Sequence, residues 1–234
     1  WQDGGEMFPT LLLDFDDTLA NSYPGRYSAI KQAVRRHSGR EITHEEVTQA
    51  ILQYSNIEEI MEYLAPEHGL GPQLVRSFRE CYYGDKREPV RLFPGVREAL
   101  DELLAREVTL SLVPSRFRHR EEEGLRWGVA QELETLGIGT FFRAVVGYED
   151  TQEHKPHPAP LLKALELLGI QPRDALAVGD NPLDIQAARE AGIPSAAALW
   201  GALQKGALLA ASPDVILEQP HDLVTLVLNG GTPQ

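Results

Sequence analysis

Only one cysteine, Cys81, occurs among the 234 residues, and a single cysteine excludes a disulfide within the chain. Basic residues are also scarce, since 22 lysines and arginines stand against 35 acidic residues, for a net charge of −13. Nucleic acids and anionic membranes favour a basic protein face, so we expect neither as a partner. No apolar run is long enough to span a bilayer. We therefore expect a cytoplasmic protein that is a monomer or a homodimer.

The segment from Thr10 to Asp17 (TLLLDFDD) joins an apolar run to three carboxylates. A continuous leucine-rich run is typical of a strand buried on both faces of a parallel sheet. In open α/β sheets, ligands bind beyond the carboxyl ends of the strands, which is where Asp14 and Asp16 fall. Like charges this close repel, so the cluster is tolerable mainly with a cation or a shared proton.

Three interpretations fit this carboxylate cluster. One carboxylate can be a covalent nucleophile that forms an aspartyl-phosphate, with Mg²⁺ drawing an anionic substrate toward it. The cluster can instead only bind a metal. It can also be an Asp-rich turn and helix cap with no chemical role, since aspartate is common in both.

The remaining pattern predicts an α/β fold in two parts. Between about Pro24 and Pro89 only helical patterns occur, including the capping box of residues 43–46 and a helix that starts at Asn56 and stops at Pro66. Beyond residue 89, strands and helices alternate, which predicts a doubly wound, Rossmann-like parallel sheet. We expect this core to comprise residues 7–20 and 89–234, with an inserted all-helical domain at 21–88, a return linker at 84–89 and a disordered start at 1–6.

Particular elements follow from the alternation. The predicted strands are residues 108–113, 144–147, 175–179, 195–199 and 215–217, and the predicted helices include 96–104, a long helix ending near Leu136, 159–168, 185–191 and 222–228.

Polar residues follow several of these strands. Ser115 and Arg116 come after the second, Lys155 after the third, and Asp180 and Asp184 after the fourth. Each of these taken alone is better explained as a surface, loop or cap residue. Together they supply carboxylates for a cation and an ammonium group for a phosphate.

Four segments of the chain resemble the haloacid dehalogenase superfamily, most closely its phosphoglycolate-phosphatase-like branch with a helical cap. They are residues 14–22 (DFDDTLANS), 92–96 (LFPGV), 155–158 (KPHP) and 178–185 (VGDNPLDI). The resemblance implies that Asp14 is the nucleophile and Asp16 the acid and base. It implies that Asp14, the Asp16 backbone carbonyl and Asp180 hold Mg²⁺ with support from Asp184, and that Lys155 neutralises the nucleophile and the phosphoryl oxygens.

The implied function is that of a Mg²⁺-dependent phosphatase acting on a small, phosphoglycolate-like metabolite through an aspartyl-phosphate. The second aspartate, Asp16, favours phosphoryl transfer, because a halide leaving group needs no proton. Residues 21–88 would then be a cap, with Arg26, Tyr27 and Lys31 as candidates for contacting a distal anion of the substrate. A phosphomutase of sugar phosphates and a non-catalytic phospho-ligand-binding protein are the alternatives.

One motif is irregular at the end of the second strand. Relatives in this superfamily place a threonine or serine there, whereas this chain has Pro114 followed by Ser115. Proline offers neither a hydroxyl nor an N–H group to a phosphoryl oxygen. We predict that Ser115 replaces both donors.

Overall fold

The computed structural model describes residues 8–54, 56–66, 70–84, 89–122 and 124–229. Its strands are β1 (Thr10–Leu13), β2 (Ala20–Asn21), β3 (Arg91–Leu92), β4 (Thr109–Leu112), β5 (Arg120–Glu122), β6 (Leu125–Trp127), β7 (Ala144–Val145), β8 (Ala175–Gly179), β9 (Ser195–Ala198) and β10 (Val215–Leu217). Its α-helices are α1 (Tyr23–Ser38), α2 (His44–Gln53), α3 (Ile57–Leu64), α4 (Gly71–Tyr83), α5 (Val96–Ala105), α6 (Val129–Thr135), α7 (Ala159–Leu168), α8 (Pro182–Glu190), α9 (Lys205–Ala210) and α10 (His221–Asn229). Among the residues described, no helix combines the length and apolarity needed to cross a membrane.

Six strands form one parallel sheet in the order β10-β9-β8-β1-β4-β7, which confirms the predicted α/β fold. The chain builds from β1 through β4 to β7, and then returns to the other side of β1 with β8. Leu13 at the end of β1 is in register with Leu112 of β4 and Val178 of β8. The strand order therefore switches between β1 and β8, the position where open α/β sheets bind ligands.

The leucines of β1 are buried on both faces of the sheet. Leu11 and Leu13 join an apolar cluster with α5, α6 and α10, whereas Leu12 joins a cluster with α7 and α8 on the opposite face. Each of these leucines is at most 1% exposed. Full burial of a leucine side chain stabilises a fold by about 1.5–3 kcal/mol, so this run fixes β1 at the centre of the molecule.

Helices α1 to α4 pack around an apolar cluster of their own. The chain enters this helical segment from β2 and leaves it through β3, which pairs antiparallel with β2. The predicted helix starts are confirmed. Thr43 and Glu46 form a reciprocal capping box at α2, and Asn56 Oδ1 accepts the Glu59 backbone N–H at α3.

The prediction of one long helix ending near Leu136 is wrong in its first half. Strand β5 pairs antiparallel with β6 in this region instead, and α6 begins only at Val129. Gly124 and Gly128 have φ of 80° and 134°, which a helix does not accept. A Cβ at Gly128 would lie 2.5 Å from the Arg118 carbonyl oxygen, so this close approach requires glycine.

The remaining differences are smaller. Helix α8 starts at Pro182 rather than at residue 185, because Asn181 caps it and proline suits a first helical position. The short elements β2, β3 and α9 lack a clear sequence pattern and are absent from the prediction. The expected disordered start at 1–6, and residues 85–88 of the expected return linker, lie outside the described residues.

Candidate active site

Three carboxylates meet at the switch point between β1 and β8. Asp14 directly follows β1, Asp180 directly follows β8, and Asp184 lies in the first turn of α8. One ligand oxygen from each lies within 4.8 Å of the others. All three residues are at least nine-tenths buried. The structure therefore brings together the three aspartates whose side chains the resemblance implies as metal ligands; the fourth residue of that set, Asp16, was expected to contribute its backbone carbonyl.

Hydrogen bonds hold Asp184 and Asp180 in place. Asp184 Oδ2 accepts the Asn181 backbone N–H at 3.2 Å and so completes a capping box at the start of α8. Thr18 Oγ1 donates to Asp180 Oδ1 at 2.7 Å, and the Thr18 carbonyl accepts from Trp200 Nε1 at 2.8 Å. Thr18 lies inside the first motif, but no pattern in the sequence marks it as a partner of Asp180.

Lys155 reaches the cluster from the loop before α7. Its Nζ lies 2.9 Å from Asp14 Oδ1, 2.7 Å from Asp184 Oδ1 and 2.7 Å from the Val113 carbonyl oxygen. These three acceptors satisfy the three N–H donors of an ammonium group. Burial by itself lowers the pKa of Lys155, but the carboxylates of Asp14 and Asp184 raise it above its ordinary value, which keeps the group charged.

Burial changes the acidity of the carboxylates. It raises the pKa of Asp14 to about 7, against the opposing effect of Lys155 and with further contributions from Asp184 and Asp16. It also raises the pKa of Asp180, which faces three neighbouring aspartates. One ammonium group cannot balance three buried carboxylates, and a hard divalent cation prefers oxygen ligands of this kind. The cluster can therefore hold such an ion.

Asp16 points away from this cluster toward Arg116. Arg116 Nε lies 2.7 Å from Asp16 Oδ2, and both side chains are largely buried. Burial tends to raise the pKa of Asp16, but the nearby Arg116 and Arg26 outweigh it and hold the pKa below its ordinary value. Oδ1 of Asp16 is buried and accepts no hydrogen bond within the described part of the chain.

Arg116 links Asp16 to two other elements. It also pairs with Glu132, a buried residue of α6, and donates from Nη1 to the hydroxyl of Tyr83 in α4 at 3.0 Å. The guanidinium lies 5.4 Å from the ring centre of Phe15. The sequence placed Arg116 at a strand end, but no motif marked it as a partner of Asp16.

Arg26 and Asp17 form a second ion pair beside the cleft. Asp17 is 2% exposed, has φ of 61°, and accepts the backbone N–H groups of Ser22 at 3.1 Å and Tyr23 at 2.9 Å. Arg26 lines the same cleft as Asp14. The contact of Arg26 with a distal anion of the substrate stays a prediction, and its pairing with Asp17 has no signal in the sequence.

Pro114 and Ser115 lie where β4 ends, beside β1. Pro114 is buried, and Ser115 lines the cleft together with Asp14, Asp16 and Asp180. Ser115 is therefore near the carboxylates, as its predicted role requires, and that role stays a prediction.

The comparisons with known proteins agree with this geometry. The family profile of the haloacid dehalogenase-like hydrolases matches residues 11–198. A pyrophosphatase named PpaX from Oceanobacillus iheyensis is 29% identical over 218 residues, which cover 93% of this chain and 96% of that protein. A phosphoglycolate phosphatase from Escherichia coli is 38% identical over 156 residues, and the match spans 65% of this chain and 58% of that relative.

A similar solved structure is that of a predicted phosphoglycolate phosphatase from Haemophilus somnus. It superposes with a TM-score of 0.80 at 23% identity and covers 94% of this chain and 98% of that chain. At this identity the likeness supports the fold. The profile match covers all of the residues at the switch point, from Asp14 to Asp184, and the chain thus belongs to the haloacid dehalogenase-like hydrolase family.

Proposed function

We propose that the protein is a Mg²⁺-dependent phosphatase that hydrolyses a small phosphate monoester through an aspartyl-phosphate at Asp14. One observation carries this proposal: Lys155 Nζ bridges Asp14 and Asp184 within a cluster of oxygen ligands at the switch point. A phosphate dianion repels a carboxylate nucleophile, and an ammonium group beside that carboxylate weakens the repulsion. The names of the two relatives, a pyrophosphatase and a phosphoglycolate phosphatase, indicate the same class of chemistry.

The reaction has two halves. In the first, an Asp14 oxygen attacks phosphorus and the bond from phosphorus to the ester oxygen breaks. The ion pair with Arg116 keeps Asp16 ionised in the free protein, and the negative charge of a bound phosphate beside Asp16 raises the pKa of this carboxyl so that it takes up a proton. Asp16 gives that proton to the departing alkoxide. In the second, the Asp16 carboxylate takes a proton from water, whose oxygen attacks phosphorus, and the bond from phosphorus to Asp14 breaks. Inorganic phosphate leaves, Asp14 is again a carboxylate and Asp16 is again protonated.

Asp14, Asp180 and Asp184 would hold Mg²⁺, with the Asp16 backbone carbonyl as a further oxygen ligand. A donor set made only of oxygen atoms suits Mg²⁺ better than a softer transition metal. When bound, the ion supplies positive charge that offsets the nucleophile and the phosphate together. Lys155 hydrogen-bonds Oδ1 of Asp14, which leaves Oδ2 without this partner.

Ser115 and the helical segment complete the proposed site. We infer that Ser115 binds the transferring phosphoryl oxygens through its hydroxyl and N–H groups, because it lines the cleft and Pro114 has neither donor. Residues 21–88 would act as the cap. In support, Ile51 and Ile60 of α2 and α3 line the same cleft as the catalytic carboxylates. Such a cover excludes water from the reaction.

Asp14→Asn tests the proposal. We expect it to abolish phosphate release from a panel of phosphorylated metabolites with Mg²⁺, while its melting temperature shows an intact fold, since a carboxamide is a far poorer nucleophile of nearly the same size. Asp101→Asn is the matched control, because Asp101 is an exposed carboxylate of α5. Near wild-type turnover by Asp14→Asn would end the proposal.

The same panel separates the alternatives. Conversion of a hexose phosphate to its isomer without phosphate release would identify a phosphomutase. If no compound turns over but one raises the melting temperature, the protein binds a phosphorylated ligand without catalysis.

A further inference from the structure

The catalytic cleft continues into a second cleft, and Ser115 and Arg116 line both. We call this second cleft the leaving-group chamber. Its lining beyond Arg116 includes Ile57, Tyr83, Phe117, Trp127 and Tyr148. Asp16, which faces the leaving group in the proposed reaction, pairs with Arg116 of both clefts. We therefore infer that the alcohol portion of an ester bound at Asp14 enters this chamber, so the lining selects which alcohol is accepted.

Aromatic rings from three separate parts of the chain form one wall of the chamber. Phe117 follows the end of β4, Trp127 belongs to the hairpin β5–β6, and Tyr148 follows β7. The ring centres of Phe117 and Trp127 are 4.9 Å apart, and those of Phe117 and Tyr148 are 5.1 Å apart. Tyr83 of α4 lies 6.1 Å from Trp127. These spacings fall in the range for favourable ring contacts, and such a wall can extend its packing to a further ring.

The positive charges around the chamber are already balanced. Its described lining contains three arginines, and each of them pairs with at least one carboxylate. The pairs are Arg26 with Asp17, Arg79 with Glu58 at 2.6 Å and Glu122 at 3.2 Å, and Arg116 with Asp16 at 2.7 Å and Glu132. A carboxylate or second phosphate on the leaving group would enter without an unbalanced cation to receive it, and burying an unpaired charge is costly.

Several residues of the lining carry a buried hydrogen-bond donor that has no partner among the described residues. Nε1 of Trp127 is buried in a residue that is 5% exposed, and it has no hydrogen-bond partner among the described residues. Nε of Arg26 and of Arg79 is buried and unpartnered in the same way. A buried donor without an acceptor is unfavourable, so a neutral acceptor atom on a ligand would be stabilised here.

We propose that the preferred substrate is the phosphate monoester of an uncharged alcohol that carries an aromatic or heteroaromatic ring with a neutral acceptor atom. The proposal rests on the phosphatase function proposed above and narrows its substrate class. The ring of the substrate packs against the aromatic wall, and the indole N–H of Trp127 donates a hydrogen bond to the acceptor atom. A leaving group with its own negative charge is disfavoured.

Hydrolysis of matched esters tests this inference. We expect kcat/KM with Mg²⁺ to be about tenfold higher for benzyl phosphate than for ethyl phosphate, because burial of the ring adds apolar contact. We expect 3-pyridylmethyl phosphate to exceed benzyl phosphate, and 2-phosphoglycolate and pyrophosphate to be poorer than both. A kcat/KM for 2-phosphoglycolate or pyrophosphate above that for benzyl phosphate would overturn the substrate class and leave the phosphatase function standing.

Substitutions in the aromatic wall test which side chains cause the preference for aromatic esters. Trp127→Phe keeps a ring and removes the N–H, so it should abolish the advantage of the pyridyl ester over the benzyl ester. Tyr148→Leu, at a half-buried position, should lower the ratio of benzyl to ethyl turnover by about threefold or more. Tyr63→Leu is the control, because Tyr63 is 46% exposed on α3 and lies outside the chamber lining. Unchanged ratios in both wall variants would refute the assignment.

A binding measurement makes the test independent of turnover. We expect benzylphosphonate to bind the Mg²⁺-loaded protein about tenfold more tightly than phosphonoacetate does in calorimetry. Tighter binding of phosphonoacetate would overturn the inference. Preferential binding of benzylphosphonate, with no ester hydrolysed, would instead support the chamber and refute the phosphatase function.

Discussion

Replacing Arg116 by methionine should destabilise the protein strongly. Arg116 is 14% exposed and lies between two carboxylates, Asp16 at 11% and Glu132 at 2% exposure. Methionine roughly keeps the apolar volume but removes the cation, so two buried carboxylates lose their partner. Removing one member of a buried ion pair typically costs about 3–5 kcal/mol, and we expect a loss of unfolding free energy in this range.

A double-mutant cycle isolates the electrostatic part of this loss. In Arg116→Met/Glu132→Met, the second substitution removes one of the two orphaned carboxylates. We therefore expect the double variant to lose less than the sum of the two single losses, by about 1–3 kcal/mol. The double variant should still have a lower free energy of unfolding than the wild type, because its Asp16 carboxylate lacks a cation.

Urea unfolding at pH 7.5, followed by circular dichroism and by tryptophan fluorescence, measures these free energies. Arg118→Met is the matched control, since Arg118 is 47% exposed and its carboxylate contacts lie at 3.5 and 4.0 Å. Exposed pairs of this kind contribute about 0–1 kcal/mol. If Arg116→Met costs no more than Arg118→Met, or if the cycle is additive, the reasoning about a buried charge shared by two carboxylates fails.

Three further predictions concern the site and the hairpin. Ser115→Ala should lower kcat/KM for phosphate release by about tenfold or more, while Pro114→Thr should change it little. If Ser115→Ala has no effect and Pro114→Thr raises activity strongly, Ser115 does not replace the missing donor. Burial raises the pKa of Asp14 from the ordinary 3.8 to about 7, so the cation-free folded protein retains a proton that the unfolded chain releases. The contribution of Asp14 to stability therefore falls as the pH rises from 3.8 to about 7. Burial also raises the pKa of Asp180, which acts in the same direction. Mg²⁺ displaces these protons and should raise the melting temperature more at pH 8 than at pH 6, whereas an equal shift at both values would contradict the assigned ligands. Gly128→Ala should cost about 1–3 kcal/mol in urea unfolding, since φ is 134° there, and an unchanged midpoint would refute the glycine requirement.

The centre of the fold was predictable because local signals and burial agree there. The leucine run of β1 is apolar on both sides, as a central parallel strand requires, and the Thr43 capping box sets the start of α2 by its own hydrogen bonds. The carboxyl ends of parallel strands share one edge, so the sequence alone predicts that Asp14 and Asp180 lie in one site.

The parts that were not predicted depend on contacts between distant segments. The hairpin β5–β6 is made of charged residues that suit a helix, and the close approach of Gly128 to the Arg118 carbonyl decides against one. The pairing of Asp16 with Arg116 likewise has no local signal, since an arginine after a strand is usually solvated. The spacing of apolar residues shows which face of a helix or strand is buried. It does not show which charged side chain will lie opposite a buried carboxylate.

The hydrogen bonds of the carboxylate cluster at the switch point join residues that are far apart in the chain. Lys155 and Asp14 are separated by 141 positions, and Thr18 and Asp180 by 162. During synthesis, Asp14 emerges from the ribosome long before its ammonium partner exists, so a nascent chain that ends before β8 has no complete site. In refolding, recovery of activity should therefore lag behind the formation of the helices, because contacts of such long sequence separation form late. Recovered activity should thus report that the sheet has assembled as far as β8 and α8.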